Sequence, residues 1–193
     1  MNKEEAIQSI SEHYHPLPPD CQTDLQACSQ LHQLDKGHLL VKEGQYADKA
    51  YYILEGSARA FYLKDGKDIT DWFAFEYEFI SPIQSFFLNI PSPQYIETLV
   101  PTLLLEVKRE DVHRLSDLHQ AFDRLGKTIV TRTLLKLQQR VVSLQFESAQ
   151  QKYDNLLDMT PDIEIRVPLT HIASYLGITL ETLSRIRASK IRI

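Results

Sequence analysis

The sequence is poor in cysteine and has no long apolar run. Cys21 and Cys28 are the only thiols among its 193 residues, too few for a disulfide framework. No apolar run approaches the ~18 residues of a membrane-spanning helix, and the polar start MNKEE does not fit a signal peptide. These absences predict a cytoplasmic protein without a membrane partner. The two thiols would share one face of a helix, as half-buried structural cysteines or, less simply, as a metal or redox pair.

Basic residues are absent from one long stretch and concentrated in another. No Lys or Arg occurs between Asp68 and Val107, whereas residues 166–193 carry a formal charge of +4 in a chain of net charge −5. An acidic body with a basic end fits a protein that touches nucleic acid through one module, although a solvated tail would give the same count. No activated nucleophile or acid–base pair stands out, so we do not expect an enzyme.

The first two thirds of the chain change from helix to strand. The first fifteen residues favour a helix, prolines follow, and a second helix is predicted from about Asp20 to Leu31. Short runs rich in Val, Ile, Tyr and Phe then alternate with turns, and Asp65-Gly66 predicts a tight hairpin. The predicted strands are His38–Val41, Tyr51–Leu54, Ser57–Leu63, Ile69–Phe75, Tyr95–Val100 and Thr102–Val107. The fold class is therefore α+β, with an antiparallel, jelly-roll-like β-roll.

A helical period replaces the strands from about Glu110. Apolar residues three and four positions apart predict one long helix without a proline break. Its stripe would form a dimer interface or pack back on the roll, and we favour the dimer. A helix from Ser148 to Leu157 and a small strand from Ile163 to Val167 are expected next. The predicted domains are 1–109 for the helices and roll, 110–147 for the dimerisation helix and 148–193 for the C-terminal module.

Residues 169–188 have the pattern of a helix-turn-helix. Ala173 supplies the small residue where two short helices cross, and Gly177 supplies a turn residue tolerant of positive φ. Apolar residues at inward-pointing spacings accompany them: Ile172, Leu176, Ile178, Leu183 and Ile186. An amphipathic helical hairpin that binds nothing would share part of this pattern. We interpret the segment as a winged-type helix-turn-helix, with residues 190–193 adding a short strand or fraying.

The order of roll, long helix and helix-turn-helix resembles the Crp/Fnr family of bacterial transcription regulators. In the roll, the resemblance rests on the segments GHLLVKEG (37–44) and YILEG (52–56) and on the Asp65-Gly66 turn. These look like the family's cyclic-nucleotide-binding domain. They are structural glycines and core residues, so they indicate the fold rather than a ligand.

The ligand-binding part departs from the family pattern. Family members that hold cyclic AMP use a Gly-Glu pair and then an Arg followed by Ser or Thr and Ala, the Arg gripping the phosphate. Here Ser81-Pro82 and Ser92-Pro93-Gln94 stand in those places. A buried phosphate would lack a cation, which argues against cyclic AMP. Aromatic residues could instead line a pocket for an apolar effector of unknown identity, or simply form core. The candidate pocket residues are Trp72, Phe79, Ser81, Pro82, Ser85 and Ser92. No cofactor is expected, since an iron–sulfur form needs four cysteines.

The second helix of the motif resembles the reading helix of the Fnr branch. The resemblance implies Glu181, Ser184 and Arg185 as base readers, because Arg can take guanine O6 and N7 while Glu accepts from cytosine N4. Leu180 stands where a cyclic-AMP-type regulator has Arg, which favours a TTGA-like half-site. The implied phosphate contacts are Thr170, Thr179, Thr182 and Arg187, with Thr179 also the helix N-cap. An i,i+4 surface pair of Glu181 and Arg185 is the plain alternative.

The sequence thus predicts a homodimeric transcription regulator that reads a pseudo-palindromic DNA site and contacts RNA polymerase. Its half-sites would lie one helical turn apart. The alternative is a small-molecule sensor whose output is a protein contact and whose DNA module is vestigial.

Overall fold

The computed structural model describes residues 2–190. The helices are α1 (Lys3–His13), α2 (Pro19–Cys28), α3 (Ile83–Leu88), α4 (Arg109–Leu118), α5 (Gln120–Phe146), α6 (Ala149–Met159), α7 (Ile163–Arg166), α8 (Leu169–Leu176) and α9 (Leu180–Lys190). The strands are β1 (Gln30–Leu34), β2 (Leu39–Val41), β3 (Lys49–Glu55), β4 (Ala58–Lys64), β5 (Lys67–Ala74), β6 (Phe79–Ile80), β7 (Tyr95–Thr98) and β8 (Thr102–Lys108). The predicted residues 191–193 of the wing lie outside the described part of the chain.

Two four-stranded antiparallel sheets form the roll, as the sequence predicts. Their strand orders are β1-β8-β3-β6 and β2-β7-β4-β5. A cluster of buried side chains fills the space between them, with Ile53 and Leu104 from one sheet and Ala60 and Ile96 from the other. The β4–β5 hairpin turns at Asp65 and Gly66, whose φ angles of 51° and 73° are the left-handed values that a tight hairpin requires.

The N-terminal helices cover the outer face of the first sheet. The side chain of Asn2 accepts a hydrogen bond from the Glu5 N–H (2.9 Å), and Glu5 bonds back to the Asn2 N–H, so a capping box begins α1. The prediction that the second helix reaches Leu31 is wrong, because α2 ends at Cys28. Residues 30–34 instead form β1, and each of the five pairs with a residue of β8 between 102 and 106. This ladder overrides the local helical pattern.

The long predicted helix is broken at His119. This residue has extended angles (φ −127°, ψ 109°) and separates α4 from α5, so a continuous helix over 110–147 is wrong. The ring Nε2 of His119 lies 2.8 Å from Asp24 Oδ2 on α2, a tertiary contact that the helical period does not encode. Leu115 and Leu125, on either side of the break, are almost fully buried in the core under α1 and α2.

The predicted strand at Ile163–Val167 is also wrong, because the segment forms the short helix α7. An alternating pattern places Ile163, Ile165 and Val167 on one side of a strand. In the structure Ile163 and Val167, four apart, are buried, whereas Ile165 is 89% exposed. The burial therefore follows helical spacing and not the period of two on which the strand prediction rested.

The C-terminal helices cover the outer face of the second sheet. Their core contains Ile172, Ala173, Leu176 and Leu183 of the helix-turn-helix, as predicted, together with Phe73 from the roll. Gly177 ends α8 in the left-handed region (φ 66°). The predicted boundary between roll and C-terminal module thus runs through a shared apolar core. Within residues 2–190, no helix is long and apolar enough to cross a bilayer.

Candidate nucleic-acid interface

The start of α9 is held by a threonine cap. The Thr182 N–H donates to Thr179 Oγ1 at 3.1 Å, and the two threonine hydroxyls lie 2.9 Å apart. This is the N-cap that the sequence predicts, and it satisfies one of the free N–H groups at the helix start. Thr170, on α8, is exposed. Thr179 and Thr182, both expected to meet phosphate, therefore lie at the N-terminus of α9, which favours an anion electrostatically.

The three expected base readers share the first two turns of α9. The side chains of Glu181 and Arg185 are 76% and 72% exposed, and Arg185 Nη2 lies 2.6 Å from Glu181 Oε1. Ser184 donates its hydroxyl proton to the Leu180 carbonyl oxygen at 2.9 Å. The i,i+4 ion pair is present, and at such exposure it is worth little. Both charges are therefore free to exchange this contact for base edges at small cost.

Arg187 has a different environment from the other expected contacts. Its Nε lies 2.6 Å from Glu164 Oε1 on α7, and the Tyr153 hydroxyl donates to the same carboxylate. Burial and the bond to Glu164 raise the pKa of Tyr153 to about 12, so this hydroxyl keeps its proton. The charge of Arg187 is thus already paired within the C-terminal module.

The helix-turn-helix is fastened to the roll through α8. The Thr70 N–H on β5 donates to Ser174 Oγ at 2.9 Å, and the Ser174 hydroxyl donates to the Asp68 carbonyl oxygen at 3.1 Å. Arg166 Nη2, just before α8, lies 2.6 Å from Glu76 Oε1 and also donates to the Gly56 carbonyl. These contacts could not be predicted from the sequence, because each joins residues ninety or more positions apart.

We call these contacts between the roll and α8 the joint, and a buried arginine lies at its centre. Arg59 has 3% of its side chain exposed and donates to both carboxylate oxygens of Asp68 at 2.6 Å. Its Nε lies 2.7 Å from Glu97 Oε1, and its Nη1 lies 2.9 Å from both Thr70 Oγ1 and His171 Nδ1. A charged residue in the apolar strand segment ARAF was the sequence signal that could have revealed this site.

His171 connects that arginine to α8. Arginine can only donate, so the Nδ1 of His171 must accept, and this requires a neutral imidazole. Burial, and then the nearby positive charge of Arg59, lower the pKa of His171. The joint therefore depends on the protonation state of a residue on the first helix of the helix-turn-helix.

The candidate effector-pocket residues do not come together. Phe79 packs against Tyr14 and Tyr52 beneath α1, on the outer side of the first sheet. Ser85 and Ser92 are 1% exposed, and their hydroxyls are used internally: Ser85 Oγ accepts from the Ala47 N–H, and Ser92 bonds to the Gln94 backbone.

Ser81 and Pro82 lie between β6 and α3, where Ser81 is half-buried and Pro82 is buried. Trp72 lines a separate cleft at the end of β5.

The two cysteines behave as structural thiols. Both are free. Cys21 is buried, and its burial raises the pKa of the thiol to about 11, far from the range of a reactive cysteine. Within the described residues, no group of His, Cys, Asp and Glu side chains is arranged to hold a metal ion.

Comparison with known proteins agrees with this architecture. The cyclic nucleotide-binding domain family matches residues 31–119, and no curated protein matches the sequence. FixK2 from Bradyrhizobium japonicum is 19% identical, with 83% of each chain covered and a TM-score of 0.71. The c-di-GMP-responsive global regulator CLP from Xanthomonas campestris is 18% identical over 91% of this chain and 92% of its own, with a TM-score of 0.70.

A third structure, from Eubacterium rectale, is assigned to the Crp/Fnr family of transcriptional regulators. It is 17% identical over 91% of this chain and 85% of its own, with a TM-score of 0.69. Both CLP and the protein from Eubacterium rectale are named as regulators. Residues 31–119 therefore match the cyclic nucleotide-binding domain family, and the chain as a whole has a fold similar to that of the Crp/Fnr transcription regulators.

Proposed function

We propose that the chain is a homodimeric transcription regulator that reads a pseudo-palindromic DNA site. The observation that carries this proposal is the exposed start of α9. Glu181, Ser184 and Arg185 lie in its first two turns, and α8 before it is packed in the core of the C-terminal module. A helix presented in this way enters the major groove with its N-terminal residues at base edges. The fold resemblance to transcription regulators supports the same reading.

The base contacts follow from the chemistry of the two charges. Arg185 offers a fork to guanine, and Glu181 accepts from the amino group of cytosine, which fits a TTGA-like half-site. Thr170, Thr179 and Thr182 would contact phosphate. Arg187 would do so only by leaving Glu164, so its contribution to affinity is smaller than its charge suggests.

The apolar face of α5 from Val130 onward provides the dimer contact. Val130, Leu134 and Val141 are 49%, 64% and 52% exposed, although Phe122 and Leu125, earlier in the same helix, are buried. Two copies pairing through this face would cover it and place two copies of α9 on one side of the dimer. Half-sites about 34 Å apart, one helical turn of DNA, would match that arrangement. RNA polymerase is the partner expected of such a regulator.

The cassette departs from the pattern that holds cyclic AMP. It carries no Lys or Arg of its own, Arg109 beside it already donates to the carbonyl oxygens of Ser85 and Phe86, and the hydroxyls of the buried Ser85 and Ser92 are hydrogen-bonded to backbone. Arg59, the buried cation of this sheet, is paired with Asp68 and Glu97 on the side facing α8. We therefore propose that DNA binding does not depend on cyclic AMP.

Selection from a random DNA pool tests the proposal. The purified protein is incubated with random duplexes, with and without cyclic AMP, and bound sequences are read out. We expect the same inverted repeat in both arms. Enrichment only with the nucleotide would contradict the argument from the cassette, and no enrichment in either arm would favour a sensor that signals through protein contacts.

A variant at Arg185 tests the assignment of the reading helix. Arg185→Ala should weaken binding to the selected site by about 1–3 kcal/mol and relax preference at one base pair of each half-site. Arg114→Ala, at an exposed arginine on α4, is the matched control and should bind as the parent does. A uniform loss across all sequences would show Arg185 to be a phosphate contact.

A further inference from the structure

A cleft separates the roll from the C-terminal module beside the joint at α8. It has a volume of about 850 Å³, within the range of small-molecule sites. Its walls are the end of β5, the second half of α5, α6 and the end of α8. We name it the hinge cleft. It lies on the outer side of the second sheet and away from Ser85 and Ser92 of the cassette, which do not line it.

The wall of the hinge cleft on the roll side is aromatic. Trp72, Phe73 and Phe75 line it from β5 and the residue after it, and Tyr175 lines it from α8. The rings of Phe73 and Tyr175 lie 5.0 Å apart between centroids. The helices add further apolar lining residues: Leu137, Val142, Leu144, Leu156, Met159 and Leu176. Val130, Leu134 and Val141, assigned above to the dimer contact, are not among the lining residues.

Arg140, on α5, lines the hinge cleft and has no acidic partner among the described residues. Its Nη1 donates to the Tyr175 carbonyl at 2.7 Å and its Nη2 to the Thr70 carbonyl at 3.4 Å, while its guanidinium lies 4.1 Å from the Tyr175 ring centroid. Among the described carboxylates, none lies within ion-pair distance of it. Lys152, on α6, likewise meets only a carbonyl oxygen, that of Leu144, at 3.4 Å.

Three of the four acidic residues that line the same cleft have an ion-pair or hydrogen-bond partner. Glu78 is paired with Lys136, and Glu147 accepts from the Ser143 hydroxyl and the Asn155 amide. Asp71 accepts from the Gln94 amide at 2.6 Å. Asp158 is exposed at the rim. The cationic groups left for a ligand are therefore Arg140 and Lys152, next to an aromatic wall.

We infer that the hinge cleft binds a small organic anion with an aromatic or branched apolar body, whose carboxylate or sulfonate meets Arg140. Buried area on the aromatic wall and a charge-assisted bond to the guanidinium fork are the two contributions that such a molecule combines. The inference gives an effector site to the regulator proposed above, and it rests on that proposal only for its regulatory meaning.

Occupancy would act on the joint through Arg140 itself. The same guanidinium joins α5 to the Tyr175 carbonyl of α8 and to the Thr70 carbonyl of β5. An anion that takes its donors competes with both carbonyls. The ligand therefore changes how firmly α8 is held on the roll, and with it the position of α9.

The lone tryptophan of the sequence makes the test direct. Trp72 lines the hinge cleft, so its emission responds to a probe bound there, and the Arg140 variants described below distinguish this site from other positions within energy-transfer range. The probe is 8-anilinonaphthalene-1-sulfonate, an aromatic anion that accepts energy from tryptophan. Its neutral counterpart, N-phenyl-1-naphthylamine, has a similar body without the charge. We expect saturable quenching of Trp72 by the anion, with an affinity about tenfold or more above that of the neutral probe.

Variants assign the charge contact. Arg140→Gln should weaken binding of the anion about tenfold and leave the neutral probe unchanged, and Arg140→Lys should restore part of the loss. Arg114→Gln, outside the cleft, is the matched control. Circular dichroism checks that each variant is folded.

The inference is overturned if the anion leaves Trp72 emission unchanged, if the two probes bind equally to the parent protein, or if folded Arg140→Gln retains full affinity. The comparison of the two probes needs no variant, so equal binding of the two would overturn the inference even if Arg140→Gln does not fold. The assay contains no DNA, so its failure and a failure of the proposed DNA binding are separate results.

Discussion

Removing the buried Arg59 side chain should be far more damaging than removing an exposed arginine. Arg59→Ala deletes a guanidinium that is 3% exposed and that touches β5, β7 and α8 at once. It leaves two carboxylates, Asp68 and Glu97, facing each other without a cation, and it leaves His171 without its donor. The joint between the roll and the helix-turn-helix therefore loses its centre.

The size of the effect follows from the exposure of the partners. Breaking a buried ion pair by removing one side costs about 3–5 kcal/mol. The Asp68 and Glu97 side chains are 36% and 21% exposed, so water relieves part of the unpaired charge and the lower end of that range applies. For a chain of this length, a loss of about 3 kcal/mol lowers the melting temperature by about 6–12 °C.

Thermal and urea unfolding of parent and variant, followed by circular dichroism, measure this loss. Arg114→Ala is the control, because Arg114 is 47% exposed and its pair with Asp111 is a surface contact that contributes little. Arg59→Met, which keeps most of the volume, separates lost packing from lost charge and should remain destabilised. Equal stability of Arg59→Ala and Arg114→Ala would refute the central role of the buried arginine.

Two further predictions concern the joint and the dimer. Because burial and Arg59 lower the pKa of His171 below its usual 6.5, the unfolded chain takes up this proton first as the pH falls below about 6.5. Stability should therefore decrease there, and urea unfolding of His171→Gln should lose that part of the pH dependence, whereas the exposed His38→Gln should keep it. The charged groups that act on His171, namely Arg59, Asp68, Glu97 and Lys36, are the same in both variants, so the comparison isolates the imidazole. Leu134→Glu should convert a dimer to a monomer in light scattering, whereas Ile165→Glu, at a residue 89% exposed on α7, should not; a Leu134→Glu protein that remains dimeric would exclude the α5 face.

Local patterns predicted the elements whose signals are local. The Asp65-Gly66 turn, the helix-turn-helix with its Gly177 and the Thr179 cap follow from backbone freedom and side-chain chemistry within a few residues, and the structure has each of them. The errors occurred where a distant contact decided the outcome. Residues 30–34 became a strand because β8 pairs with them. In the helix that replaces the predicted strand, Ile163 and Val167 pack in the C-terminal core with Phe73 of the roll.

The candidate site divides in the same way. Glu181, Ser184 and Arg185 could be proposed as base readers from sequence because a reading helix carries its chemistry on one exposed face. The effector candidates could not be tested by pattern alone. Aromatic residues adjacent in sequence alternate between the two faces of β5, so Trp72 and Phe73 belong to different packing clusters.

Residue type and local spacing were enough to predict the class of elements, the helix-turn-helix and the lack of Lys and Arg within the cassette segment. Only the tertiary structure decided that the long helix breaks at His119 and that half of its apolar stripe is buried. It also placed Arg59, His171, Ser174 and Arg166 in one joint between roll and reading module. The physical reason is that a buried charge is tolerated only where partners from distant strands and helices surround it, and no local period records those partners.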